Sequence, residues 1–157
     1  MIYFAYGSNM DPRQMRRRCP SHRFVGIARL ADYRLAFTRR SPRRRCGTAD
    51  VVPMIGEQVW GIVYDIPHPH DIRVLDAAEG FNADRAHANA YWRKSETVLI
   101  GAHSRQVELY IARKQQNPPP PSRAYMNHLI HGAMHWELPS DYIDTLERIP
   151  VDAFRLS

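Results

Sequence analysis

The sequence predicts an α+β fold in which helices pack against a mixed or antiparallel β-sheet. Three observations lead to this fold class. The length of 157 residues is typical of one domain, covering residues 1–157. Six or seven short segments rich in β-branched and aromatic residues predict strands. Other segments, between and after the strands, carry apolar residues at helical spacing or helix start signals.

The first half of the chain is predicted to be mostly strands. Residues 2–6 (IYFAY) predict a first strand that ends at the turn 7–9 (GSN). A helix should follow, since Asn9 or Asp11 can cap it and Pro12 suits its first turn. Further strands are predicted at residues 24–38, 48–53 and 58–66, and a polar, arginine-rich loop at residues 39–47.

The second half alternates helices and strands. Within residues 71–80, Ile72, Leu75 and Ala78 recur at helical spacing, and Gly80 stands where a helix commonly ends. Strands are predicted at 91–100 and 105–111, joined across 101–104, and a rigid proline connector follows at 118–121. Ser122 should cap a helix that carries Met126, Leu129, Ile130 and Ala133 on one face. A last helix is predicted from Ser140 to about Glu147.

Positive charge is concentrated at the start of the chain. Residues 1–45 hold 12 arginines against two acidic residues, mainly in clusters at 16–18 and 39–45. Such clusters can bind nucleic-acid phosphates, or they can form a solvated face that attracts small anions. Because stacking aromatics and nucleic-acid-binding motifs are missing, the second interpretation is favoured and nucleic acid is not expected as a partner.

Several function classes are disfavoured. No apolar run is long enough to span a membrane and no secretory signal is evident, so we expect a cytoplasmic protein. Cys19 and Cys46 are isolated, which favours buried or free thiols over a catalytic thiol. His128, His131 and His135 lie opposite the apolar helix face and are expected to point to solvent, so no metal site is predicted. The oligomeric state stays open.

Two features suggest chemistry. The turn at residues 7–9, leading into a helix, can present unpaired N–H groups to a carboxylate, phosphate or oxyanion, although an ordinary strand-to-helix turn has the same pattern. Glu79 continues the apolar face defined by Ile72 and Leu75. Partial burial would raise its pKa and suit it to proton transfer. Alternatively, Glu79 pairs with an arginine or reaches water at a frayed helix end; Asp76 is either a second acid or a surface charge.

The residues also carry a family resemblance. Four motifs follow one another across residues 3–133: residues 3–10 (YFAYGSNM), 59–64 (VWGIVY), 75–80 (LDAAEG), and 120–125 (PPSRAY) leading to 130–133 (IHGA). In this order they resemble the motifs of the γ-glutamylcyclotransferase-like family. The lead-in at residues 3–6 together with Asn9 is similar to the general γ-glutamyl branch of the family, not to its glutathione-specific branch.

This resemblance implies a small mixed β-barrel with peripheral helices and a cavity at its mouth. It further implies that the α-amine of a γ-glutamyl substrate attacks its own γ-carbonyl, which forms 5-oxoproline and releases an amine or amino acid without a metal or cofactor. The leaving group stays open: an amino acid, a polyamine-like amine or a γ-glutamyl protecting group. The alternative is an inactive family member that binds small carboxylates as a binding or regulatory module. The matching positions are Glu79 for the catalytic glutamate, Tyr6, Gly7, Ser8 and Asn9 for the substrate-binding loop, and Tyr125 and Tyr110 for tyrosines of the site.

Overall fold

A closed five-stranded β-barrel forms the centre of the computed structural model, which describes residues 1–85 and 87–152. The α+β class and the mixed barrel with peripheral helices are therefore confirmed. The strands are β1 (Ile2–Ala5), β2 (Arg23–Ser41), β3 (Cys46–Asp65), β4 (Tyr91–Ile100) and β5 (His103–Ala112). The helices are α1 (Pro12–Arg18), α2 (Pro69–Ala78), α3 (Arg123–His135) and α4 (Ser140–Glu147), with a one-turn 3₁₀ helix at Ser8–Met10, called the 3₁₀ turn below.

The barrel closes through one parallel strand pair. Around the barrel the strands run in the order β1–β3–β2–β4–β5, and each of these neighbouring pairs is antiparallel. β1 then pairs with β5 in parallel, with Tyr3 opposite Glu108. This parallel pair closes the sheet into a barrel.

Two long strands replace the several short ones that were predicted. β2 and β3 pair along almost their whole length, from Arg23 opposite Asp65 to Ser41 opposite Cys46. Residues 54–57 leave the register opposite Asp32, whose φ of 61° helps the ladder bend. The loop predicted at 39–47 was too long, because interstrand pairing extends β2 to Ser41 and restarts β3 at Cys46; only residues 42–45 form the turn.

The helix predictions are largely confirmed. Asp11 caps α1 by accepting a hydrogen bond from the Arg13 N–H, and Ser122 caps α3 in the same way from the Tyr125 N–H. α2 ends at Ala78, and Gly80 has the positive φ of 64° expected after a helix C-terminus. Within the described residues, no helix combines the length and the apolar character needed to cross a membrane.

Helix α3 packs directly against the 3₁₀ turn. A Cβ added to Gly132 would lie 2.3 Å from the carbonyl carbon of Met10, so only glycine allows this approach. The indole N–H of Trp136 donates to the Met10 carbonyl at 3.0 Å. The 3₁₀ turn is therefore fixed at the end of β1. The largest fully buried side chains are Tyr64, Phe4, Met10, Met15, Leu30, Ile62, Ile66, Leu75, Leu109, Met126, Leu129 and Leu146.

Of the three histidines on α3, the first does not point freely to solvent. His128 Nδ1 lies 2.7 Å from Asp11 Oδ2, so this histidine ties α3 to the residue that caps α1. The sequence-based expectation for His128 was wrong because its partner lies 117 positions away. His131 and His135 are exposed as expected. Cys19 and Cys46 are buried free thiols.

Candidate active site

A cavity of about 320 Å³ opens at the end of the barrel where β1 and β5 finish. Its size falls in the range of small-molecule sites. All seven predicted site residues line it: Tyr6, Gly7, Ser8, Asn9, Glu79, Tyr110 and Tyr125. Other lining residues include Tyr3, Arg18, Arg39, Arg43, Arg44, Thr48, Ala49 and Tyr91.

Glu79 is the residue directly after α2, and its side chain lines the cavity. Its N–H donates to the Leu75 carbonyl at 3.0 Å, and its side chain is 19% exposed. Burial raises the pKa of Glu79, although the nearby charges of Arg18 and Arg44 oppose the rise. A carboxyl group with a raised pKa can both accept and return a proton near neutral pH.

Arg18 is close to Glu79 but is not a tight partner. Its Nη1 lies 3.8 Å from Glu79 Oε1, beyond hydrogen-bond distance, whereas the same nitrogen donates to Asn9 Oδ1 at 3.0 Å. The sequence left open whether Glu79 is a partly buried carboxyl suited to proton transfer or the partner of an arginine. The structure shows features of both, since Glu79 lines the cavity with a raised pKa and has Arg18 nearby. The frayed-end alternative is not observed.

Asn9 is buried and held in one orientation. Its Oδ1 accepts from Gln14 Nε2 at 2.8 Å as well as from Arg18. Its Nδ2 consequently faces the other way, donating to the Tyr3 hydroxyl at 3.0 Å and to Glu79 Oε1 at 3.4 Å. Asn9 thus connects the 3₁₀ turn to the carboxyl group of Glu79.

The 3₁₀ turn, not α1, supplies the N–H groups at the predicted anion cradle. Asp11 occupies the N-terminus of α1, while the N–H of Met10 is used by the Gly7 carbonyl. Among the described residues, the N–H groups of Ser8 and Asn9 have no protein acceptor. A Cβ at Gly7 would lie 3.5 Å from the Tyr125 hydroxyl, in van der Waals contact with it. The absence of a side chain at Gly7 therefore keeps the cavity open beside Tyr125.

The tyrosines of the site differ in what they can offer. The Tyr125 hydroxyl accepts from the Ala49 N–H at 2.9 Å, so its own proton stays available for another acceptor. The Tyr6 hydroxyl donates to the Tyr110 carbonyl, and the Tyr110 hydroxyl donates to Asp76 Oδ1 at 2.5 Å. Burial is the main cause that raises the pKa of Tyr125, of Tyr6 and of Tyr110. Tyr6 and Tyr110 therefore contribute rings to the cavity wall.

Asp76 is a partner of Tyr110, not a second acid in the cavity. Arg93 Nη1 donates to both of its oxygens, at 2.9 and 2.8 Å, and Tyr110 donates to one of them. Asp76 does not line the cavity. From outside the cavity, Asp76 fixes the position of the Tyr110 hydroxyl by accepting its hydrogen bond.

The arginines of the cavity were not identified individually from the sequence. Arg44 Nη2 donates to Gln14 Oε1 at 2.7 Å, and its guanidinium lies 5.1 Å from the centre of the Tyr125 ring. Burial lowers the pKa of Arg44. The density of arginines was the available signal, but the fold decides which of them line the cavity: Arg18 lies on α1, Arg39 on β2, and Arg43 and Arg44 in the turn between β2 and β3.

Several known proteins are similar to this chain in sequence and fold. Γ-Glutamylcyclotransferase of Mus musculus is 28% identical over 160 residues, covering 98% of this chain and 81% of that protein. Γ-Glutamylcyclotransferase of Homo sapiens is 27% identical over 154 residues, covering 94% and 78%. A solved structure of a γ-glutamyl cyclotransferase superposes with a TM-score of 0.89 at 26% identity, covering 100% of this chain and 92% of that one.

The model of the AIG2-like family matches residues 58–146, which include Glu79, Tyr110 and Tyr125. This match covers more than half of the chain. With the closed barrel and the cavity at its end, it establishes that the chain belongs to the AIG2-like family.

Proposed function

We propose that this protein is a γ-glutamylcyclotransferase that converts a γ-glutamyl compound into 5-oxoproline and a free amine or amino acid. The observation that carries the proposal is the placement of Glu79: a largely buried carboxyl with a raised pKa, lining a small cavity beside Asn9 and the 3₁₀ turn. Relatives at 26–28% identity that bear this enzyme name support it.

In the proposed reaction, the nucleophile belongs to the substrate. The α-ammonium group loses a proton to the Glu79 carboxylate, and the free amine attacks the γ-carbonyl carbon to close a five-membered ring. The bond from that carbon to the leaving nitrogen then breaks as the protonated Glu79 returns its proton to this nitrogen. The new ring nitrogen still carries two hydrogens and loses one of them as a second proton, which passes to the released amine so that it leaves as an ammonium group. One C–N bond forms, one breaks, and two protons move from the α-nitrogen to the leaving nitrogen, so Glu79 ends the cycle ionised as it began. Because both reacting groups belong to one substrate molecule, most of the rate acceleration is expected to come from holding that molecule in the conformation that closes the ring.

The 3₁₀ turn and Tyr125 are proposed to hold the substrate. The N–H groups of Ser8 and Asn9 suit either the α-carboxylate or the oxyanion that develops on the γ-carbonyl oxygen. The Tyr125 hydroxyl can donate to a second oxygen, because its lone pair already accepts from Ala49. Tyr6 and Tyr110 are proposed to bound the site through their rings, and Gly7 to leave room for the substrate.

The proposal is tested by incubating the protein with a panel of γ-glutamyl amino acids and γ-glutamyl amines and measuring 5-oxoproline. We expect release from at least one compound, and a kcat about 10²–10⁴-fold lower in Glu79→Gln. Glu57→Gln, which removes an exposed carboxyl outside the cavity, is the matched control and should keep full activity. Full activity of Glu79→Gln would overturn the mechanism. Binding of the panel without 5-oxoproline release would favour a binding or regulatory module instead.

The pH dependence gives a second test. Because burial raises the pKa of Glu79, the acidic limb of kcat/KM should have its midpoint above the ordinary glutamate value of 4.5. If the residual activity of Glu79→Gln keeps the same acidic limb, the ionisation behind that limb belongs to a group other than Glu79. A cytoplasmic location, independence from cofactors and a single domain over residues 1–157 stay predictions.

A further inference from the structure

The cavity carries more positive charge than the proposed chemistry needs. Among the described residues, four arginines line it, namely Arg18, Arg39, Arg43 and Arg44, and Glu79 is the one acidic residue of the lining. The γ-glutamyl group itself brings one carboxylate and one ammonium group. Several guanidinium groups therefore stay without an anion when only the glutamyl part of a substrate is bound.

The arginines differ in how near they lie to the proposed reacting centre. Arg18 donates to Asn9 and lies 3.8 Å from Glu79. Arg44 lies beside the 3₁₀ turn, with Nη2 3.4 Å from the Ser8 hydroxyl. Arg39 and Arg43 have no hydrogen bond or ion pair with any predicted site residue in the described part of the chain.

The three hairpin arginines, Arg39, Arg43 and Arg44, lack acidic partners. Within residues 1–85 and 87–152, no carboxylate lies within 4.0 Å of their guanidinium nitrogens. Arg39 Nη1 donates to the Arg113 carbonyl at 3.2 Å, which leaves the rest of its guanidinium unused. Arg44 is partly buried and has a charged neighbour, Glu79, but no carboxylate at ion-pair distance among the described residues, which makes its guanidinium a ready partner for a bound carboxylate.

The hairpin that bears these arginines is held in place. The Arg45 N–H donates to the Ser41 carbonyl at 2.7 Å, and the Arg44 N–H donates to the Ser41 hydroxyl at 3.2 Å. Next to the turn, the Gly47 N–H donates to the Pro120 carbonyl at 3.0 Å. A Cβ on Gly47 would lie 2.1 Å from the Pro119 carbonyl oxygen, so the hairpin fits closely against the proline connector. The arginines are thus presented from a fixed position.

We propose that Arg39, Arg43 and Arg44 bind carboxylates of the leaving group, and that the preferred substrates are γ-glutamyl compounds of an acidic amino acid. This inference rests on the proposed function. In this proposal the glutamyl part stays beside Glu79, and the leaving group extends toward Arg39 and Arg43, which line the cavity without a hydrogen bond or ion pair to the predicted site residues in the described part of the chain. An acidic amino acid offers two carboxylates to these guanidiniums, whereas a cationic, polyamine-like leaving group would be repelled.

The experiment compares two substrates that differ only in charge: γ-glutamyl-glutamate and γ-glutamyl-glutamine. We expect kcat/KM for γ-glutamyl-glutamate to be about tenfold higher in the wild type, and this preference to shrink as NaCl is raised. In Arg43→Gln the preference should fall by about 3–10-fold. Arg40→Gln removes the same charge from the same hairpin but outside the cavity, and should keep the wild-type preference.

Binding to Glu79→Gln separates this inference from the proposed function. Calorimetric titration of that variant with the same two compounds measures the charge preference without turnover. Tighter binding of γ-glutamyl-glutamate, weakened by adding Arg43→Gln but not by adding Arg40→Gln, supports the inference even where no 5-oxoproline forms. Equal binding and equal kcat/KM for the two compounds would overturn it while leaving cyclotransferase activity intact. A preference lost equally in Arg40→Gln would also overturn it, since bulk charge would then explain the effect.

Discussion

Replacing Asp11 by asparagine should weaken the fold beside the cavity in a pH-dependent way. Asp11 directly follows the 3₁₀ turn and joins two helices to it. Its carboxylate accepts from the Arg13 N–H at 3.0 Å and contacts Arg13 Nη2 at 3.2 Å on α1, and it lies 2.7 Å from His128 Nδ1 on α3. Asparagine can still cap α1, so the variant isolates the contribution of the negative charge.

The magnitude follows from the pKa of this carboxyl. Burial alone would raise the pKa of Asp11, but hydrogen bonds from Arg13 and His128 outweigh burial and lower the pKa from 3.8 to about 2. At about 1.36 kcal/mol per pKa unit, this difference sets a ceiling of about 2.4 kcal/mol. The side chain of Arg13 is 63% exposed and solvent screens its charge, so we expect a loss of about 1–2 kcal/mol at pH 7.

The sign of the pH dependence is fixed by the direction of the shift. Because the pKa is lower in the folded protein than in the unfolded chain, the stabilisation is complete above about pH 4 and disappears as the pH falls toward 2. Urea unfolding at pH 7, 5 and 3 measures it as a change of midpoint at constant slope. Asp84→Asn, at an exposed position, is the control and should behave like the wild type at each pH.

Two outcomes would refute this reasoning. One is an Asp11→Asn midpoint equal to that of the wild type at pH 7. The other is a deficit that stays constant between pH 7 and pH 3, which would attribute the loss to packing instead of charge.

Three further predictions concern single side chains near the site. Glu79→Gln should raise the Tm at pH 7, because burial penalises the ionised carboxyl, and the gain should vanish as the pH falls toward 4.5; a lower Tm at pH 7 would contradict this. Gly132→Ala should lower the free energy of unfolding in urea by about 1–3 kcal/mol or more, since its methyl would collide with the Met10 backbone; unchanged stability would refute the close approach. Tyr110→Phe should cost about 1.5–3 kcal/mol in the same assay by leaving Asp76 without its hydroxyl donor, and a cost below about 0.5 kcal/mol would argue against that contact.

Local patterns were enough to predict the features that depend on neighbouring residues. The spacing of Ile72 and Leu75 before Gly80 predicted the helix that ends at the cavity, and it placed Glu79 on the buried side. Asp11 and Ser122 were recognised as caps because a cap bonds to an N–H only two or three residues away.

Features that depend on distant contacts did not follow from local patterns. The barrel was predicted only from the family resemblance, because its closure requires β1 to pair in parallel with β5, about a hundred residues later, and no local pattern encodes that pairing. Polar residues such as Arg39 were predicted to lie in a loop, yet strand pairing with Thr48 places them in β2. Arg44 could not be assigned to the cavity for the same reason, since its partner Gln14 lies 30 positions away.

The role of Glu79 is tested most directly by the crystal structure of the Glu79→Gln variant with an uncleaved γ-glutamyl compound bound. We predict that the γ-glutamyl group lies in the cavity, with its α-nitrogen within about 3.5 Å of the residue 79 side chain and an oxygen of the group facing the N–H groups of Ser8 and Asn9. A γ-glutamyl group bound outside this cavity, or bound with its α-nitrogen turned away from residue 79, would contradict the proposed role of Glu79.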